Sequence, residues 1–254
     1  MTAPRLHALP AALEKLLPRH DRGLAFGIAA LDQLLPLGLP RGHLSALDAP
    51  LGSGGTALML SLAEHTLRAE ESVAFVDAAR SLAPQSAAHL SELGQFWVVR
   101  PRGTQSAWWC ADILLRTGAF GLVIVDQCPA LARRIGVRLQ RLAKDRNCVV
   151  LVRPADKTAR ITMARETTAQ GAMQYSPSIR LSVHPSASGF VPALPGGHAW
   201  PGMRTIRVTI DKGGAPRAAE VSLGVSLPHR LRPHWAVRDR RAGHRTTRRS
   251  AKHR

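Results

Sequence analysis

Short apolar runs recur along the chain at 43–47, 72–77, 96–100, 121–126, 148–153 and 178–183. They are apolar on successive positions rather than alternate ones, which predicts strands covered on both faces. Between them, 56–69, 85–93, 105–117 and 130–145 carry helical spacing. Strands alternating with helices predict an α/β fold with a mainly parallel central sheet flanked by helices. Later, 205–210 and 217–223 alternate around Lys212-Gly213-Gly214, the pattern of a β-hairpin closing the sheet.

Ahead of the first strand, Leu9, Ala12, Leu13 and Leu16 share one side of a short helix over 6–17, ended by Pro18. Leu31, Leu34 and Leu35 form a second apolar side before Gly38, Pro40 and Gly42 turn the chain. The organisation expected is an N-terminal arm (1–22), a core (23–185), a Pro/Gly/Ser-rich connection (186–204), the closing hairpin (205–226) and a tail (227–254). No internal repeat is evident.

Composition adds one departure from the ordinary. The hydrophobic fraction of 45% suits a globular core, yet the net charge is +18. Between residues 230 and 254, nine arginines and one lysine oppose Asp239, a net of nine of those charges. The tail lacks the apolar content that offsets ordering entropy, so it is expected to be disordered and drawn to a polyanion, DNA or RNA. Its cations Arg238, Arg240, Arg241, Arg245, Arg248, Arg249, Lys252 and Arg254 are the first candidate DNA contacts. With Trp235 as its one aromatic, the tail predicts non-specific binding. Cys110, Cys128 and Cys148 are widely spaced without a CxxC, which points to buried thiols and to no metal site. No run reaches membrane-helix length and no secretory h-region is present, so a cytoplasmic, nucleoid-associated protein is expected.

The candidate chemistry sits in DAPLGSGGTAL, 48–58, between the first strand and the first long helix. A phosphate loop needs glycines whose N–H groups wrap the phosphates, a lysine for the β and γ oxygens, and a hydroxyl for Mg²⁺. Gly52, Ser53, Gly54 and Thr56 supply the cradle, but Ala49 stands at the first glycine and Gly55 at the lysine. Asp126, ending GLVIVD, is the candidate magnesium carboxylate. Two rival readings stay open. Gly52, Gly54 and Ala57 with Asp77 also satisfy a dinucleotide fingerprint, and a glycine turn needs no ligand at all.

Taken in order, these segments resemble the RecA recombinase core over about 23–223. GLAFGIAALDQLLPLGLPRGHLSAL is similar to its lead-in, DAPLGSGGTAL to its phosphate loop and VAFVDAARSLAP to the strand and turn bearing its catalytic glutamate. SAWWCADILLRTGAFGLVIVDQCPAL is similar to its helix and magnesium strand, SIRLSV to a late core strand and TIRVTIDKGGAPRAAEVSL to its closing hairpin. The resemblance implies that Ala79 stands at the general base, Gly55 at the phosphate lysine and Pro154 at the γ-phosphate-sensing glutamine. Losing any one of these costs orders of magnitude in rate. The expectation is therefore no ATPase and no cofactor, with weak ATP/Mg²⁺ binding left open.

A degraded RecA core with a basic tail resembles the ImuA-type, or SulA-like, accessory proteins of bacterial mutagenesis cassettes. That resemblance implies a role in the DNA-damage response and translesion synthesis, with a recombinase and a Y-family polymerase-like protein as partners. The loop 154–171 occupies the place of the family's second DNA-binding loop, making Lys157, Arg160 and Arg165 further candidate contacts. Leu9, Leu13 and Leu16 are candidate partner contacts, for self-association or for docking on a recombinase. Trp108 and Trp109 lie about 100° apart on a helix, so one is expected in the core and the other exposed as an anchor. Two other functions fit the same residues: a DNA-stimulated ATPase using a displaced cation, and a cell-division inhibitor acting by protein binding alone.

Overall fold

A computed structural model describes residues 23–155, 175–192, 202–213 and 217–224. The arm's Leu9, Leu13 and Leu16, the loop's Lys157, Arg160 and Arg165, and the whole basic tail lie outside them. The helix expected at 6–17 does too.

The chain runs α1 (Ala29–Leu34), β1 (Leu44–Asp48), α2 (Gly55–Arg68), β2 (Val73–Asp77), α3 (Pro84–Ala87), α4 (Leu90–Leu93) and β3 (Phe96–Val99). It continues with α5 (Ala107–Thr117), β4 (Leu122–Cys128), α6 (Arg133–Asp145), β5 (Val149–Pro154), β6 (Ile179–Pro192), β7 (Gly202–Lys212) and β8 (Ala218–Gly224). These form one eight-stranded sheet of order β3-β2-β4-β5-β1-β6-β7-β8. Pairing is parallel from β3 through β6 and antiparallel from β6 to β8.

The period of two decides which layer each strand residue feeds. Val73, Phe75, Leu122, Ile124, Val149 and Leu151 face α2 and α4, whose Leu58, Leu62, Leu67 and Leu90 complete one core. Ala74, Val76, Val123, Val125, Val150 and Val152 face α5 and α6, meeting Trp108, Ala111, Leu115 and Leu139. Strands covered on both faces read as unbroken apolar runs for this reason. On β6 to β8 the buried apolar residues alternate, among them Leu181, Val183, Ile206, Val208, Val221 and Leu223, and all of these join the first core. The antiparallel end of the sheet thus buries one face only.

The structure differs from the sequence reading at several boundaries. The helix expected over 85–93 is two short helices, α3 and α4. The helix expected from 105 opens with a 3-10 turn, Thr104–Ser106, before α5. Strand β6 runs on to Pro192 and β7 begins at Gly202, so the connection expected at 186–204 is strand at both ends. Its Pro and Gly content suggested a loop, but the antiparallel pairing from Phe190↔Arg204 to Pro192↔Gly202 extends the ladder across it. Leu31 and Leu34 of α1 and the following Leu35 are buried as expected. Among the described residues no helix is long and apolar enough to cross a membrane.

Candidate functional site

At the sheet's carboxyl edge, four neighbouring strands each carry a charged residue at or just beyond their end. Sheet order sets them in the row Arg100, Asp77, Asp126, Arg153, after β3, β2, β4 and β5. Asp77 and Asp126 are register partners and both are fully buried. Two unpaired carboxylates there would repel each other in a poorly solvated place. Each has its own guanidinium, from the next strand outward.

Arg153 holds Asp126 in a fork, Nε donating to Oδ1 at 2.5 Å and the NH2 group to Oδ2 at 2.9 Å. The same NH2 group donates to the Thr56 hydroxyl at 3.1 Å. Arg153 is 2% exposed, so this is a buried bidentate pair, the geometry for which arginine is suited. Burial pushes the Asp126 carboxyl above the usual carboxylate range; the hydrogen bonds and charge of Arg153 pull it back, and Asp77 adds to the rise.

Asp77 is held differently. Its Oδ2 accepts from Arg100 Nε at 3.1 Å and from the Leu82 N–H at 3.2 Å, and its Oδ1 accepts from the Ser81 N–H at 2.8 Å. Arg100 also donates to the Leu82 carbonyl at 2.7 Å. This ties down the turn after β2, where Ala79 presents an exposed methyl at the position matched to a general base. Fully buried and tied to this turn, Asp77 does not present a carboxylate outward as the dinucleotide reading needs.

The glycine loop closes over the pair. Gly52 and Gly54 take φ of 78° and 100°, and Gly54 caps α2 in a left-handed conformation that glycine adopts without a Cβ penalty. The Ser53 hydroxyl is buried without a hydrogen-bond partner among the described residues. A Cβ added at Gly55 would stand 2.4 Å from the Ala49 Cβ and 3.0 Å from an Arg153 guanidinium nitrogen. The two departures from a phosphate loop, alanine at 49 and glycine at 55, therefore compensate each other sterically.

The residues as arranged do not fit a nucleotide's magnesium. Both Asp126 oxygens and the Thr56 hydroxyl accept from one guanidinium, so a divalent cation there would sit against a buried positive charge. The loop cradle, Gly52, Ser53, Gly54, Gly55 and Thr56, is brought together with Asp126 as the sequence suggested. Arg153 is what sequence reasoning missed. Its signal was available in VVLVR, an apolar strand ending in arginine beside the VIVD of its neighbour.

Asp126 ends the regular part of β4. Gln127 follows at φ 51°, where the register against β5 slips between Asp126 and Cys128, as at a β-bulge. Pro154 closes β5, half-buried. Trp108 is buried and Trp109 is 66% exposed, as the helix geometry required. Cys128 and Cys148 are buried and Cys110 is half-buried.

Comparison with known proteins agrees with this architecture. Residues 21–139 match the family described as the RecA N-terminal domain. Protein RecA of Nocardioides sp. is 36% identical over 110 residues, 42% of this chain and 31% of that protein. Protein RecA of Clavibacter michiganensis is likewise 36% identical, over 42% of this chain and 30% of its own length. The chain thus spans about a third of the length of the curated relatives it matches. The crystal structure of the RadB recombinase superposes with a TM-score of 0.56 at 21% identity, covering 78% of this chain and 94% of that one. The chain has the RecA-like α/β fold, and residues 21–139 are related to the RecA N-terminal domain.

Proposed function

We propose that this protein is a catalytically inactive RecA-like accessory factor of the DNA-damage response, acting in translesion synthesis and induced mutagenesis. It binds DNA non-specifically through its basic tail and contacts recombinase and polymerase partners. The observation that carries the loss of catalysis is the Arg153 fork on Asp126 and Thr56. A guanidinium takes the place between loop and strand that a phosphate lysine and a magnesium ion would share, and Gly55 and Ala79 supply neither cation nor base. Recombination and repair are supported by the RecA and RadB relatives. The mutagenic role is supported by the resemblance of a degraded RecA core with a basic tail to ImuA-type proteins.

The test is the damage-induced mutation frequency in host cells carrying the natural chain, a chain lacking residues 230–254, or none. Loss of induced mutation without the chain, and its reduction without the tail, is the expected outcome. Full function without the tail, together with a filamentation phenotype, supports a division inhibitor and contradicts the proposal.

A further inference from the structure

We propose that the outer face of α5 and α6 binds a single strand of nucleic acid, with Trp109 stacking on a base and Arg134 and Arg141 holding phosphates. Its residues belong neither to the tail nor to the segment 154–171. It faces away from the sheet on the layer that covers Val123, Val125 and Val150.

The two helix layers differ in charge. Helix α2, the turn after it and α4 carry Glu64, Glu70, Glu71 and Glu92 with Arg68; Glu70 and Glu92 are exposed, while Glu64 and Glu71 are half-buried and Glu71 pairs with Arg41. Helix α6 carries Arg133, Arg134, Arg138, Arg141 and Lys144 against Asp145. Its buried residues are Gly136, Leu139 and Ala143, which places Arg134, Arg138 and Arg141, spaced by four and three, in one stripe opposite the core. The stripe rises about 10 Å along the helix. Arg134 and Arg141 are exposed and form no ion pair among the described residues.

Asp112 of α5 fixes how the second helix adds to this stripe. It accepts from Arg138 at 2.6 and 3.0 Å and from Arg116 at 2.9 Å, one carboxylate between two guanidiniums. Both helices return antiparallel to the parallel strands, so they run side by side in the same sense. With Asp112 level with Arg138, Trp109 comes level with Ile135, one residue from Arg134, and Arg116 with Leu142, one residue from Arg141. An exposed indole therefore stands beside a row of arginines with little acid between them. That combination, a cationic track with an aromatic platform, suits unpaired bases on a phosphate backbone. Arginine rather than lysine throughout the stripe favours phosphate forks.

The test titrates labelled oligo-dT into the full chain and follows fluorescence anisotropy at rising salt. Three variants are compared: R134Q/R141Q, W109A, and a tail variant with Arg238, Arg240, Arg241, Arg245, Arg248 and Arg249 changed to Gln. R134Q/R141Q is expected to flatten the slope of log affinity against log salt by about 1.4, two phosphates at ~0.7 each on a single strand. W109A is expected to weaken binding about tenfold with the slope kept. Both effects should persist in the tail variant. If the tail variant alone abolishes binding, and R134Q/R141Q changes neither affinity nor slope, this surface is no interface while the tail reading stands. If the tail variant binds normally and R134Q/R141Q does not, the surface stands and the tail reading falls. Arginine-dependent binding of polyglutamate without binding of oligo-dT assigns the face to an acidic protein and overturns the proposal.

Discussion

The methyl of Ala49 lies 2.4 Å from the place a Cβ on Gly55 would occupy. A phosphate loop has glycine at the first position and a side chain at the second; here the methyl has moved from one to the other, and the Arg153 guanidinium fills the remaining space. Restoring lysine at 55 alone therefore overpacks the loop. Gly55→Lys is expected to destabilise by about 1–3 kcal/mol in urea unfolding. Adding Ala49→Gly should recover part of that, a non-additive cycle expected of residues in contact. Additive costs would mean that the two positions are not coupled.

Arg153 and Asp126 should behave as a buried pair. Arg153→Met leaves a fully buried carboxylate without its counter-charge, with an expected cost of about 3–5 kcal/mol. Arg153→Met with Asp126→Leu removes both charges and is expected to cost far less than the single change. Equal costs in denaturant unfolding would contradict the pairing.

The same variant carries a pH signature. Burial already holds the Asp126 carboxyl above its usual range, and without Arg153 it rises further. A raised carboxyl binds its proton in the folded state at pH values where the unfolded chain has released it. Folded Arg153→Met thus binds more protons than unfolded, and its stability falls as pH rises from about 4 through the raised value. The natural protein should fall less steeply, because Arg153 opposes the shift. Urea midpoints across this window check the sign.

Asp77 and Arg100 form the unequal half of the row. Asp77 is fully buried and accepts two backbone N–H groups, whereas the Arg100 side chain is 41% exposed. Asp77→Ala is expected to cost about 2 kcal/mol or more, stranding the buried Leu82 N–H. Arg100→Gln should cost under about 1 kcal/mol, since solvent screens the exposed partner. Thermal midpoints that rank the two the other way would show that the arginine, not the turn, carries the contact.

Thiol chemistry reads the core under α5 and α6, where all three cysteines pack. Burial pushes Cys148 up to about 12 and raises Cys128 still further, while Cys110 is raised less and half-buried. A thiol reagent at neutral pH should titrate Cys110 alone in the folded protein and all three after denaturation.

Much of this architecture is written in local pattern. The strands 72–77, 121–126 and 148–153 were legible because burial on both faces leaves an unbroken apolar run. The glycine loop was legible because its turn needs left-handed residues at 52 and 54. Arg153 was not, because its role depends on sheet order: only when β5 lies beside β4 does a strand-ending arginine meet a strand-ending aspartate. The 85–93 segment misled because helical spacing does not show where a helix breaks. The Pro/Gly content of 186–204 hid strand residues that antiparallel pairing, a long-range contact, extends.

The most direct measurement is calorimetric titration of Mg²⁺-ATP into the purified protein, followed by hydrolysis with and without single-stranded DNA, for the natural chain and for Arg153→Gln. No binding and no turnover by the natural chain is the predicted result, with any weak binding appearing only when the guanidinium is removed. DNA-stimulated hydrolysis by the natural chain, lost in Arg153→Gln, would contradict it and make Arg153 the displaced phosphate cation of a working ATPase.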